Sequence, residues 1–194
     1  SADENKVVEL SDGRLLLNSR TQGTAGQRLE AISYDGGQTW GPFRHNWDLT
    51  DPRNNASIIR AYPNAPQGSA RARVLLFSNA DSSTARANGT IRVSYDDGFT
   101  WNEGKVFESG DMAYSTLHAL GDGTWGLLYE TGGYKNIDFM RVDAAYLGLT
   151  DPGEEVTPTP QPTPSVDPQP VPTPAPTVDP TPAPTAEPAP SVDP

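Results

Sequence analysis

Short runs of β-branched and apolar residues alternate along this chain with Gly, Asp and Asn punctuation, and helical spacing of apolar positions is hard to find. That pattern predicts an all-β protein. "KVVEL", "RLLLNSR", "RLEAIS" and "TWGPF" read as four successive strands. The series restarts as "ASIIRAY", "ARVLLFSNA", "TIRVS" and "TWNEGKVF". A third copy, "AYSTLHAL", "TWGLLYE" and "IDFMRVDAAYL", stops without a fourth strand. "ELSDGRLLL" and "ALGDGTWGLL" set Asp-Gly between apolar runs, the strongest short hairpin signal.

An eight-residue box recurs inside this series. "SYDGGQTW" spans 33–40 and "SYDDGFTW" spans 94–101, so Ser33, Asp35, Gly37, Thr39 and Trp40 correspond to Ser94, Asp96, Gly98, Thr100 and Trp101. Four-strand repeats with a box at the third turn predict propeller blades. In such a turn the Asp accepts backbone N–H bonds, Gly supplies a special φ, and Trp packs between strands. The boxes are therefore structural, and sugar stacking by Trp40 or Trp101 is the minor alternative. Trp47 and Trp125 are expected to pack within blades.

A longer repeat points to chemistry. Leu10, Asp12 and Gly13 match Leu120, Asp122 and Gly123 at an offset of 110, two blades on. At that offset Glu4 falls on Tyr114 and Arg20 on Glu130, so unlike polar residues occupy equivalent places in equivalent blades. A site grafted onto a repeat has this form. Strand one runs down the central channel and strand two returns, which places Glu4, Tyr114, Arg20 and Glu130 at one end. Arg86, in the loop "SNADSSTARANG" after strand two of the middle blade, joins them. The boxes fall at the opposite end.

Composition narrows the picture. From Val156 to Pro194 every proline sits at an even position, and no aromatic, Leu, Ile or Met occurs. Such a segment cannot offset its ordering entropy by burial, and it reads as an extended polyproline-II linker with a composition compatible with O-glycosylation. At ~3.1 Å per residue it spans on the order of 120 Å, and the expectation is that it leads to an unseen C-terminal anchor or carbohydrate-binding module. Fourteen basic against twenty-five acidic residues, a net charge of −11, argue against a nucleic-acid partner. There is no cysteine, hence no thiolate metal site, and no apolar run long enough for a transmembrane helix. His45 and His118 have no ligand-spaced partner, so no metal is expected. The sequons at Asn55 and Asn88 are short and carry no weight.

The boxes resemble the Asp-box of sialidases and related propellers. "KVVELSDGRLLLNSR", "RANGT" before the second box and "AYSTLHALGDGTWGLLYE" are similar to the second half of a bacterial exo-α-sialidase, over nearly all of residues 1–148. The resemblance implies a six-bladed β-propeller, three of whose four-stranded blades occupy residues 1–152, followed by a disordered Pro/Thr-rich linker at 153–194. It implies Tyr114 as nucleophile, Glu4 as its base, Arg20 and Arg86 as two of three arginines gripping the substrate carboxylate, and Glu130 as the residue orienting the third. That third arginine and the catalytic aspartate belong to the family's first half, with its "RIP" segment, which does not occur here. The resemblance thus implies a retaining exo-α-sialidase without a cofactor, inactive as this chain alone. For the parent enzyme it further implies action on sialylated glycoproteins, glycolipids or oligosaccharides, and secretion or attachment to a bacterial cell surface. Two other classes fit the boxes: a non-catalytic propeller binding sialylated glycans, which has no use for a Glu4–Tyr114 pair, and a trans-sialidase.

Overall fold

The computed structural model describes residues 2–23 and 26–153; the expected linker beyond Gly153 lies outside the described residues. Ten strands make up nearly all of it: β1 (Ala2–Glu9), β2 (Leu15–Thr21), β3 (Gly26–Ser33), β4 (Arg44–Asp51), β5 (Ser57–Arg60), β6 (Leu75–Ala80), β7 (Ala87–Ser94), β8 (Lys105–Ala119), β9 (Trp125–Thr131) and β10 (Asn136–Val142). The first sheet is an antiparallel meander, β1-β2-β3-β4. The second has six strands in the order β10-β9-β8-β7-β6-β5. This is a propeller made of three blades, the third with three strands among the described residues.

Four expectations are displaced. Strand four of the first blade is not "TWGPF" but β4, starting at Arg44. Gly41 N–H instead donates to Ile32 O at 2.9 Å, closing the box turn, and Pro42 has no N–H to offer a ladder. In the second blade pairing likewise resumes only at Lys105, after "TWNEG". The third is a boundary. The backbone runs unbroken through β8, pairing with β7 up to Asp111 and with β9 from Met112, so blades two and three share one strand. "IDFMRV" ends as a strand at Val142, and "AAYL" is one turn of helix, α1 (Ala144–Leu147). Asp143 Oδ1 accepts from Tyr146 N at 2.7 Å at its start, and Gly148 (φ +62°) ends it.

Packing between blades follows from alternation on β6. Leu75 and Phe77 face the first blade, clustering with its Leu16 and Leu49 and with Trp101 of the second box; Leu76 faces the third, clustering with Leu117 and Leu127. Both faces are closed to solvent, and Phe77 is 0 % exposed. Trp125 is buried as expected, its Nε1 donating to Ala61 O at 2.9 Å. Trp47 is not: on β4, the edge strand of its sheet, it is 75 % exposed, lying against His45 at 5.7 Å.

The two boxes close on the same atoms. Ser33 Oγ accepts from Gly37 N at 2.8 Å, and Asp35 takes Thr39 N at 2.9 Å and Thr39 Oγ1 at 2.6 Å. Ser94, Asp96, Gly98 and Thr100 repeat this at 2.8, 2.8 and 2.7 Å. Gly37 and Gly98 have φ of +89° and +83°, and Trp101 lies over Gly98, as Trp40 lies over Gly37. Outside the motif, Asp97 accepts Ser11 N at 2.8 Å and Ser11 Oγ at 2.6 Å, stapling the second box to the first blade. The Thr39 hydroxyl, the Thr39 amide and the Ser33 hydroxyl hold Asp35 down at about 2 against an ordinary 3.8. A depressed folded pKa stabilises above the unfolded value, and that contribution is lost as pH falls from about 4 through about 2. Melting temperature against pH should therefore fall less steeply in this window for Asp35→Asn than for the unsubstituted chain.

Candidate active site

The box turns and the expected site residues lie at opposite strand ends. Ser33 pairs with Leu15, at the start of β2, whereas Arg20 near its end pairs with Asp3. Ser94 likewise pairs with Leu75 at the start of β6. At the far end, β1 breaks register between Asp3 and Lys6, and Glu4 sits in the break with φ +46°. The bulge turns its side chain out of the pleat, and Asp3 Oδ1 accepts the Glu4 amide at 2.9 Å. Tyr114 sits at the matching irregularity of β8, between Met112 and Ser115. Equivalent strands of the first and third blades are bulged at equivalent places.

Tyr114 and Glu4, 110 residues apart, meet there. The Tyr114 hydroxyl donates to Glu4 Oε1 at 2.6 Å. Arg20 Nη1 lies 2.8 Å from the same carboxylate oxygen and 3.5 Å from the Tyr114 hydroxyl. Arg86 lies across the phenol ring, its Cζ 5.2 Å from the ring centre. Glu130 Oε2 accepts the Tyr114 backbone N–H at 3.3 Å. All five expected residues thus converge. Glu130, expected to orient a third arginine, here anchors the backbone of Tyr114.

Electrostatics keep the phenol protonated. Its hydrogen bond to Glu4 is the main reason that Tyr114 titrates above 10.0; burial and the Glu4 charge add to this, while Arg86 and Arg20 pull the other way. Glu4 Oε2 and Arg20 Nε are buried and have no hydrogen-bond partner among the described residues. Unsatisfied buried polar atoms are costly in a core and ordinary in a site that awaits a polar ligand.

Sequence reasoning missed several participants. Tyr134 donates nothing to the motif pattern, yet its hydroxyl accepts from Arg86 Nη1 at 2.6 Å. It follows Gly132 and Gly133 in a turn with φ +69°, so the glycine pair just after Glu130 was the available signal. Arg86 Nη2 also donates to Arg53 O at 3.2 Å. Asp3 lies 3.7 Å from Arg20 Nη2. Among the described residues no group of three or more His, Cys, Asp or Glu is arranged to hold a metal ion. A separate cavity of about 320 Å³, lined by Tyr62, Arg71, Gly123 and Trp125 among others, opens beside the β8–β9 turn at the box end and contains none of the five residues.

Comparison with known proteins bears on the family and the fold. A curated sialidase of Micromonospora viridifaciens is 56% identical over 166 residues, covering 80% of this chain and 25% of that protein. The solved structure of the Hadza microbial sialidase Hz136 aligns with TM-score 0.64 and 31% identity, covering 75% of this chain and 28% of that one. The NanB sialidase of Streptococcus pneumoniae has the same fold at 21% identity and TM-score 0.63, over 74% of this chain and 23% of that one. The chain therefore spans about a quarter of the length of the relatives it matches. The profile of the BNR repeat-like domain matches residues 2–127. With that profile covering more than half of its residues, the chain belongs to the BNR repeat-like family.

Proposed function

We propose that this chain carries the nucleophile side of a retaining exo-α-sialidase site, acting on terminal sialic acids of glycoconjugates outside the cell. The observation that carries the reading is the 2.6 Å hydrogen bond from Tyr114 to Glu4, with Arg20 2.8 Å from the accepting oxygen. A glycan-binding propeller needs arginines for the sugar acid but has no use for a phenol coupled to a carboxylate.

Sialic acid bears a carboxylate on its anomeric carbon, so a carboxylate nucleophile would approach a like charge. A tyrosine held neutral avoids this, one of the recognised exceptions to the two-carboxylate scheme. Moving a proton from phenol to a free carboxylate costs roughly 8 kcal/mol in water. Transfer from Tyr114 to Glu4 is therefore concerted with attack, so that a free phenolate never accumulates. Arg20 and Arg86 bind the substrate carboxylate as charged forks, which lysine cannot reproduce. Glu130 holds the backbone from which Tyr114 projects. The resemblance also calls for a third arginine and an aspartic acid that protonates the leaving oxygen, and assigns neither to a residue of this chain.

Titrating the chain with N-acetylneuraminic acid, followed by NMR, tests this. Binding should shift signals at the mouth but not at the box turns, and Arg86→Ala should weaken it at least about tenfold, one charged hydrogen-bond pair. Equal affinity of the two proteins would overturn the role given to Arg86.

A further inference from the structure

Arg20 and Tyr114 come from blades that are not neighbours, so their 3.5 Å approach needs something to fix it. Beneath them lies a cluster that the proposed chemistry does not use. Asp51, at the end of β4, accepts the backbone N–H of Thr21, the residue after Arg20, at 3.3 Å. Asn54, in the link from β4 to β5, donates its side-chain amide to the carbonyl of Ala113, the residue before Tyr114. Arg28, in the middle of β3, joins the two: its Nη1 reaches Asp51 Oδ2 at 3.3 Å and Asn54 O at 2.7 Å. Asp51 Oδ1 accepts Asn54 N at 2.8 Å, closing the turn 51–54. The carbonyl of Arg53 in that turn, at φ +63°, is the one that Arg86 reaches. A single four-residue turn thus touches the neighbours of Arg20 and Tyr114 and the side chain of Arg86.

The burial of this cluster is complete. Arg28, Asp51 and Asn54 are each 0 % exposed. Burial pushes the Arg28 guanidinium down to about 10, with Asp51 opposing the shift, so it remains charged at neutral pH. Arg28 Nη2 and Asn54 Oδ1 make no hydrogen bond among the described residues. For stability alone, an apolar set of the same volume often does as well as a buried ion pair. What an ion pair and an amide supply beyond that is direction.

We propose that Asp51, Arg28 and Asn54 are positioning residues of the mouth, holding the backbones that carry Arg20 and Tyr114 at the spacing that lets both meet Glu4. This rests on the sialic-acid reading for its purpose but not for its test. In the full 194-residue chain with tyrosines labelled at Cζ with carbon-13, the Tyr114 resonance is assigned by its loss in Tyr114→Phe. In Asp51→Asn and in Arg28→Lys the Tyr114 resonance should move. Its titration midpoint should fall toward that of an ordinary tyrosine as the Glu4 contact loosens. Tyr62 and Tyr146, packed against Trp125 and Lys105, should keep theirs. Affinity for N-acetylneuraminic acid should fall about tenfold. A Tyr114 resonance and midpoint unchanged in folded variants would overturn the proposal and leave the cluster a core element. If the charged variants do not fold, Asn54→Ala, which strands no charge, is read in the same way. Should the unsubstituted chain bind no N-acetylneuraminic acid while Tyr114 still responds, the positioning role stands and the sialic-acid reading falls.

Discussion

Given an alkyl α-sialoside, the 194-residue chain should release sialic acid at a rate on the order of 10²–10⁴ below that of an intact bacterial sialidase, the usual loss for a removed general acid. The described mouth contains a phenol that donates a hydrogen bond to Glu4 and two arginines, Arg20 and Arg86. None of these has the role of protonating the leaving alkoxide in the proposed reading. With Tyr114 as nucleophile and Glu4 as its base, as proposed above, the deficit should depend on the leaving group and shrink for groups that depart without a proton. Parallel assays with an alkyl and an activated aryl sialoside check this. Turnover of the alkyl substrate near that of the intact enzyme would show that another residue of this chain supplies the acid.

Replacing Phe77 with alanine should destabilise the chain by about 3–5 kcal/mol, the range for a buried aromatic cut to a methyl. The ring is fully enclosed, 5.6 Å from the Trp101 ring and 5.9 Å from the Arg28 guanidinium. It therefore separates the apolar core between the first two blades from the buried polar cluster beneath the mouth. A cavity there removes dispersion contacts and lets water reach an ion pair that is now fully buried. Urea unfolding should show the midpoint moving sharply down, and a change below about 1 kcal/mol would mean that the site collapses around the smaller residue.

Much of this architecture was legible because repetition reports on topology. The Ser-x-Asp-x-Gly-x-Thr-Trp boxes fixed where strand three ends, and the 110-residue offset put Glu4 opposite Tyr114 and Arg20 opposite Glu130. The Asp-Gly turns behave alike, with Leu10 N bonding Arg14 O and Leu120 N bonding Thr124 O, both at 2.8 Å. Strand four lies later than "TWGPF" because Pro42 and the Gly41 bond to Ile32 delay the ladder to Arg44. The union of blades two and three through β8 was hidden because no proline interrupts 105–119 and Gly110 alone does not break the strand. The support beneath the site was invisible for another reason. Arg28 on β3 and Asp51 on β4 lie 23 residues apart in one sheet and outside any motif, and the bond from Asn54 to Ala113 crosses to the third blade, where no local spacing reveals it.

The central claim is that Tyr114, deprotonated by Glu4 as it attacks, forms a bond to the anomeric carbon of a sialic acid held by Arg20 and Arg86. A sialosyl fluoride carrying a second fluorine at C3 tests this directly, because fluoride leaves without needing an acid. The Tyr114 oxygen bonds to C2, the C2–F bond breaks, the phenol proton passes to Glu4, and the C3 fluorine slows release of the product. Mass spectrometry of the treated chain, digested and sequenced, should place one fluorosialyl group on Tyr114, with none in Tyr114→Phe and strongly reduced labelling in Glu4→Gln. An unlabelled chain, or a label that persists in Tyr114→Phe, would contradict the account.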